Sequence, residues 1–404
     1  MKYKNNQLYL ENVAFKKISK KIGSPTYCYS LSKIKNNIEK FKKNFKKTKP
    51  LICFSVKSNS NSEILREIKR NGLGADVVSK GELMKSIKLG ISPKKIVFSG
   101  VGKTYDDLSY AINKNILLIN CESEGEIVKI EKIAKARKKK VDIGIRLNPN
   151  IDPKTIRKIT TGKSGDKFGI DKSNLIKIVK NYKNSKNLNI KCLSVHIGSQ
   201  ITSHNPYTKM LNVLSSVIKN SNYNFEYIDL GGGMGINYNY EDKKLNYKKY
   251  NFFIKKFLKK HNSKIIFEPG RSIIADTAML LTKVIYIKKT KNINFIILDA
   301  AMNDLMRPAL YGAKHRIIPC EKNNKINYIK HEFVGPVCET TDKFLSLQKY
   351  QSLNEDDILA ICDVGAYGMS LASNYNLRTK PAEVLINKSS IKVIKKREQL
   401  KNII

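Results

Sequence analysis

Short apolar runs of four to eight residues alternate along the first two thirds of the chain with longer segments whose apolar residues recur every three or four positions. The runs are LICFSV (51–56), ADVV (75–78), KIVFS (95–99), ILLIN (116–120), VDIGIRL (141–147), IKCLSVHI (190–197), FEYIDL (225–230) and KIIFE (264–268). Their length and β-branched content predict strands. Between them NSEILREIKRNG, KGELMKSIKLG, ESEGEIVKIEKIAKARKK, KSNLIKIVKNY and YKKYNFFIKKFLKKH carry helical spacing. Repeated strand–helix units imply a parallel sheet covered by helices. Eight of them imply a closed (β/α)8 barrel, with an open doubly wound sheet as the alternative. From about Met279 the pattern changes to LLTKVIYIKK, INFIILDA, HRIIPC, INYIKHEFVG, DKFLSLQ, DILAICDVG and AEVLI, strands joined by turns with little helix. The expected α/β organisation is a barrel over 30–277 and a β-sandwich or β-barrel domain over 278–404, joined by the N-terminal segment 1–29.

Composition adds limits rather than a function. The 404 residues suffice for a large core and two domains, and 41% hydrophobic content is that of a folded protein. No apolar run approaches the roughly 18 residues of a membrane helix, and MKYKNNQLYLENVAFKKI lacks the apolar stretch of a signal peptide. No membrane association and a cytoplasmic location are expected. Seven cysteines (28, 53, 121, 192, 320, 338, 362) show neither CxxC spacing nor histidine partners at metal-ligand spacing. Neither a disulfide framework nor a metal site is expected. The net charge is +42, from 76 basic and 34 acidic residues. Lysine runs such as KARKKK and IKKTKN fall at helix ends and turns, with no aromatic-interleaved groove or helix-turn-helix spacing. The charge reads as solvated surface, and no nucleic-acid partner is expected.

A barrel gathers its chemistry where its strands end. The residues closing the predicted strands are Lys57, Ser79, Ser99–Gly100, Arg146–Asn148, His196–Gly198–Ser199, Gly231–Gly235 and Glu268–Arg271. An amine partly shielded from water at a barrel mouth is a usable Schiff-base nucleophile, although Lys57 alone is one lysine of 66. The glycines of DLGGGMG (229–235) let successive N–H groups cup a phosphate. Their spacing is not the dinucleotide fingerprint, and no Walker loop is present. A buried Glu268, in FEPGR, needs a cationic or proton-bearing partner, either a pyridinium nitrogen or Arg271. In SVHIGSQ, His196 can stack on a ring and Ser199 can donate to a phosphate. Beyond the barrel, EFVGPVCETTD sets the Cys338 thiol beside Glu339, a pairing suited to proton donation. MRPALYGAKH places Arg307 and Tyr311 four apart, and Tyr367 lies in DVGAYG.

In order, FSVKSN, GADVVSKGEL, GKSGDKFGI, HIGSQI, GGGMG, EPGR, MRPALYGAKH, GPVCET and GAYG resemble the motifs of the pyridoxal-phosphate-dependent decarboxylases of the alanine-racemase-like fold, and of their diaminopimelate branch, from about Tyr27 to Leu385. The resemblance implies pyridoxal 5′-phosphate as cofactor, with Lys57 as the Schiff-base lysine, His196 stacking on the ring and Glu268 on the pyridine nitrogen. It implies Ser199, Gly233 and the Pro269–Gly270–Arg271 turn at the phosphate, with Tyr367 near cofactor and substrate. Arg271, Arg307 and Tyr311 match ligands of the substrate carboxylate, Glu339 the receptor of the other amino-acid centre, and Cys338 the proton donor. The family further implies a homodimer in which the cysteine segment reaches the neighbouring subunit's barrel. The implied reaction converts meso-2,6-diaminopimelate to L-lysine and CO2, the last step of lysine biosynthesis by that route.

Departures from the family pattern are Ser55, Ser58, Lys80, the basic stretch TIRKITTG and Thr340; none removes a catalytic group. Ornithine-, arginine- or carboxynorspermidine-type decarboxylases are the nearest rivals. Ornithine and arginine lack a second carboxylate, whereas guanidinium forks at Arg271 and Arg307 suit a diacid. A racemase wants a weaker electron sink than Glu268 would maintain, and a basic nucleic-acid binder has no use for this set of groups.

Overall fold

The computed structural model describes residues 1–238 and 244–404. The chain divides into two compact units, residues 39–236 with 243–272, and residues 1–38 with 237–242 and 273–404.

In the first unit eight parallel strands follow one another around a closed barrel. They are β1 (Leu51–Ser55), β2 (Gly74–Val77), β3 (Ile96–Phe98), β4 (Leu118–Cys121), β5 (Val141–Leu147), β6 (Leu188–Val195), β7 (Tyr227–Asp229) and β8 (Lys264–Phe267). Each expected run supplies one strand. Pairing of Ile266 with Leu51 and of Phe267 with Ile52 closes β8 onto β1 and excludes the open sheet. Helices begin soon after the strands because side chains cap them. Asn61, Ser79, Thr104 and Ser123 each accept a hydrogen bond from a first-turn N–H of the next helix, satisfying donors that a helix start leaves unpaired. Ser79, a strand-end candidate, is such a cap.

Two layers fill the barrel. Cys53, Val97, Leu118, Cys192 and Ile266, from five strands, pack together as an apolar layer. Side chains two residues apart share a strand face, so the next inward position on each of these strands is Ser55, Ser99, Asn120, Ser194 or Glu268. Asp76, Arg146 and Asp229 fill the corresponding places on β2, β5 and β7, and all eight are buried. A polar ring therefore lies on an apolar floor at the carboxyl ends of the strands. Gly144 makes room within it, since a Cβ there would stand 2.1 Å from Asn120 Oδ1.

The second unit is built on a nine-stranded sheet. Its main path runs Lys343–Leu347, Lys330–Val334, Ile293–Leu298, Ala278–Lys289, Thr26–Ser30, Ala382–Asn387 and Ser390–Lys395; Ile358–Cys362 pairs with Ala278–Lys289 and with Ile317–Pro319. The 12-residue strand Ala278–Lys289 pairs with Thr26–Ser30 and Ile358–Cys362 along its first part and with Ile293–Leu298 along its second. Thr26–Ser30, in mid-sheet, ties the N-terminal residues into this unit. The helix Phe15–Ile22, for which the sequence pattern offered no expectation, buries Phe15 and Ile18 against Cys28, Met279, Leu281 and Val384.

Candidate active site

Lys57 sits in a single 3-10 turn, Val56–Ser58, directly after β1. Its side chain is 43% exposed, and Nζ faces the buried Asp76 carboxylate at 3.8 Å. The expected shielding from water is thus partial. The strand end places the amine in an open mouth, opposite an acid that itself accepts from Ser55 Oγ at 2.8 Å. Ser55 and Ser58, two departures from the family pattern, lie against Gly270, where a Cβ would approach Ser58 Cβ to 2.9 Å and Ser55 Cβ to 3.2 Å.

His196 follows β6, and its Nδ1 accepts from the Gly232 N–H at 3.2 Å. Burial first, then the charges of Arg146 and Lys57, hold its pKa well below the usual imidazole range. The ring is therefore neutral, and with Nδ1 accepting, its proton is on Nε2. The glycine run wraps this corner. Gly231 (φ +62°) and Gly233 (φ +82°) adopt left-handed backbone, and a Cβ on Gly233 would stand 2.2 Å from the Gly198 oxygen. Only glycine fits there. Arg271, itself buried, donates from Nε (3.2 Å) and Nη2 (3.0 Å) to Ser199 Oγ. The two expected phosphate ligands are thereby joined.

Glu268 closes β8 and accepts from Ser99 Oγ at 3.3 Å. Burial, the Asp229 charge and a hydrogen bond with Asp229 push its carboxyl well above the usual range. Asp229 is pushed up to about 6, chiefly by burial. Sequence reasoning missed Asp76, Asn120, Ser194 and Asp229. For Asn120, Ser194 and Asp229 the period-two spacing from an apolar residue was the available signal; Asp76 follows Gly74 instead. Arg146, a strand-end candidate, has a buried partner that the sequence did not reveal: Glu122, at an Nη1–Oε1 distance of 2.6 Å. Arg146 stacks on Phe168 at 4.9 Å, and Glu122 accepts from the Gly169 N–H. Removing one partner of such a pair costs about 3–5 kcal/mol, so this pair braces the rim.

The remaining candidates belong to the second unit. Arg307 opens the short helix Arg307–Tyr311, which also carries Tyr311. Its guanidinium lies over the Tyr238 ring at 4.8 Å and contacts His315 Nε2 at 2.7 Å. Cys338 is exposed, whereas the other six cysteines are buried. Glu339 accepts from Thr341 Oγ1 at 3.2 Å and from the Tyr375 hydroxyl; Tyr375 was not anticipated. Tyr367 adopts φ +56°, a strained value for a tyrosine.

Pyridoxal phosphate requires an amine for its aldehyde, an acid for its ring nitrogen and donors for its phosphate. The barrel presents all three on neighbouring strand ends. Asp76 Oδ1 and Asn120 Oδ1 are also buried without a hydrogen-bond partner, as expected of a polar ring built to face a bound group. The residues fit the cofactor. Among the described residues no group of three or more His, Cys, Asp or Glu could hold a metal ion, and no helix is long and apolar enough to cross a membrane.

A family model for the pyridoxal binding domain of pyridoxal-dependent decarboxylases matches residues 31–275. The fold is that of this class. The diaminopimelate decarboxylase of Aquifex aeolicus is 39% identical, over 100% of this chain and 96% of that protein. The solved diaminopimelate decarboxylase of Helicobacter pylori, complexed with L-lysine, superposes with a TM-score of 0.91 at 39% identity, covering 96% of this chain and 98% of that one. The M. jannaschii enzyme in co-complex with L-lysine gives 0.94 at 33% identity, covering 100% and 96%. The chain belongs to the diaminopimelate decarboxylase family.

Proposed function

We propose that the chain removes CO2 from meso-2,6-diaminopimelate to leave L-lysine, using pyridoxal 5′-phosphate, as the last step of lysine synthesis. The carrying observation is the constellation of Lys57, Glu268 and the Ser199–Arg271 pair on barrel strand ends, in a chain that aligns end to end with diaminopimelate decarboxylases.

When bound, the cofactor supplies an aldehyde for the substrate amine and a protonated ring that draws off the electrons released as CO2 leaves. Lys57 would hold the cofactor through its amine, which faces Asp76 at 3.8 Å. Glu268 keeps the ring nitrogen protonated, and neutral His196 covers the ring without placing a charge against it. Ser199, Gly233 and the Pro269–Gly270–Arg271 turn hold the phosphate, with Tyr367 beside the cofactor. Arg271, Arg307 and Tyr311 hold substrate carboxylate, as a diacid requires, and Glu339 with Tyr367 receives the second amino-acid centre. Cys338, the exposed thiol, returns a proton to Cα. In this reading 30–277 is the cofactor domain, and 1–29 with 278–404 the second. The protein works as a homodimer in which each Cys338 segment serves the other subunit's barrel. Seven unpaired thiols suit the reducing cytoplasm.

Release of CO2 from meso-diaminopimelate, ornithine, arginine and lysine tests the substrate. The first should be turned over at least about a hundredfold faster by kcat/KM, since unpaired buried groups reject an analogue lacking a polar partner. Faster turnover of ornithine would sink the assignment while leaving the fold untouched. Borohydride should fix the cofactor on Lys57, as peptide mapping would reveal.

A further inference from the structure

We propose that Asp229 is a positioning residue that keeps a proton on Glu268 until the cofactor ring arrives, and that this same proton becomes the one on the ring nitrogen. The proposal rests on the reading of Glu268 as the ring-nitrogen partner.

Asp229 ends β7 and is fully buried. Its Oδ1 accepts from the Gly231 N–H at 2.9 Å. Its Oδ2 accepts from Asn120 Nδ2 at 2.9 Å and from Ser194 Oγ at 3.4 Å. Asn120 Nδ2 also reaches Ser99 Oγ at 3.2 Å, and that hydroxyl donates to Glu268. Asp229 is thus tied at once to the glycine run and to the Glu268 carboxyl. Two buried acids linked this closely through shared donors cannot both hold a charge, so one carries a proton. Three donors already converge on Asp229, so the negative charge settles there and the proton stays on Glu268.

The surroundings agree. Asp76, from β2, raises both groups, whereas Lys57, after β1, opposes the rise at Glu268. The thiols of Cys53 and Cys192, pushed well above their ordinary range by burial, stay uncharged. His196 is neutral. As the ring docks, the Glu268 O–H bond breaks and a ring N–H bond forms. Charge balances without a proton from water: a neutral acid and a neutral nitrogen become a carboxylate and a cation, beside an Asp229 that stays ionised. A residue that merely closed the turn into the glycine run would have no bearing on this proton.

The probe is pyridoxine 5′-phosphate, which has ring and phosphate but no aldehyde, so Lys57 forms no bond to it. Its affinity for the cofactor-free full-length protein is measured at pH values above the ring nitrogen's own pKa. In wild type the Kd should hold constant to higher pH than in Asp229→Asn, because the ring proton is already on the protein. In Asp229→Asn, Glu268 ionises earlier and the proton must come from water, so Kd should weaken by about tenfold per pH unit. Infrared difference spectra of wild type supply a measurement that needs no variant. A protonated-carboxyl band present before binding should vanish when pyridoxine phosphate is added. Equal pH slopes in wild type and Asp229→Asn, or no carboxyl band lost, would overturn the proposal. So would a Kd weakened equally at every pH, the mark of a purely structural role. Failure of wild type to bind pyridoxine phosphate at all would instead bring down the cofactor reading, and this proposal with it.

Discussion

Glu268 and Glu339 are the two glutamates of the proposed site, and their surroundings are opposite. Glu268 is buried at a strand end, against Ser99 and the Asp229 carboxyl. Glu339 is exposed, and its carboxylate accepts from the hydroxyl groups of Thr341 and Tyr375. Yet the backbone under Glu339 is firmly set. The Asp342 carboxylate accepts from the N–H groups of Met302 (2.7 Å) and Val337 (2.8 Å), and Gly335 leaves room for it. One region tunes a group by removing water; the other holds a loop still and leaves the side chain to meet a ligand. Loss of Glu268 should therefore alter the chemistry, and loss of Glu339 the recognition.

The largest effect expected is at Lys57. Lys57→Ala should lower the rate of CO2 release by about 10³-fold or more and leave borohydride without a target. Activity within tenfold of wild type would place the nucleophile elsewhere. Next comes the direct contrast. Glu268→Gln should lower kcat by about 10²–10³-fold, as loss of a charge aimed at the transition state does. Glu339→Gln should raise KM by about tenfold with kcat nearly unchanged, as loss of uniform binding does. If both variants changed the same kinetic constant, the contrast would collapse. Tyr375→Phe sharpens it: removing one hydrogen bond to Glu339 should raise KM by about five- to tenfold while kcat holds steady, in steady-state assays with diaminopimelate.

The smallest effect concerns stability. Asp304, buried in the second unit, is pushed up to about 7, chiefly by burial. An acid with a raised folded pKa favours the folded state when protonated. Its contribution is full below the ordinary carboxylate pKa near 3.8 and fades as pH climbs through about 7. Thermal unfolding from pH 4 to 8 should show Tm declining less steeply in Asp304→Asn than in wild type. Parallel curves would mean that Asp304 does not titrate there. Asp229 gives the barrel the same sign of dependence, through a pKa near 6.

Much of the site was legible because barrel chemistry is local in sequence: a residue that closes a strand run is one that faces the mouth. Lys57, His196, the glycine run, Glu268 and Arg271 could all be read in this way. The layer beneath was encoded too, as a polar residue two places beyond an apolar one on six of the eight strands and beyond Gly74 and Gly144 on the other two, but a single Ser, Asn or Asp carries little signal alone. Asn120 and Asp229, 109 residues apart, acquire meaning only when their side chains come within 2.9 Å. The Glu339–Tyr375 contact, 36 residues apart, is likewise invisible along the chain.

The sequence by itself determined the strand–helix alternation, the order of the elements and the residue types at each strand end, because period and propensity act over a few neighbours. Tertiary structure alone decided that Lys57 stands in an open mouth beside Asp76, that His196 is neutral with its proton on Nε2, and that Glu268 is paired with Asp229. Those properties depend on desolvation and on charges brought together across the barrel, and neither exists until the eighth strand has closed on the first.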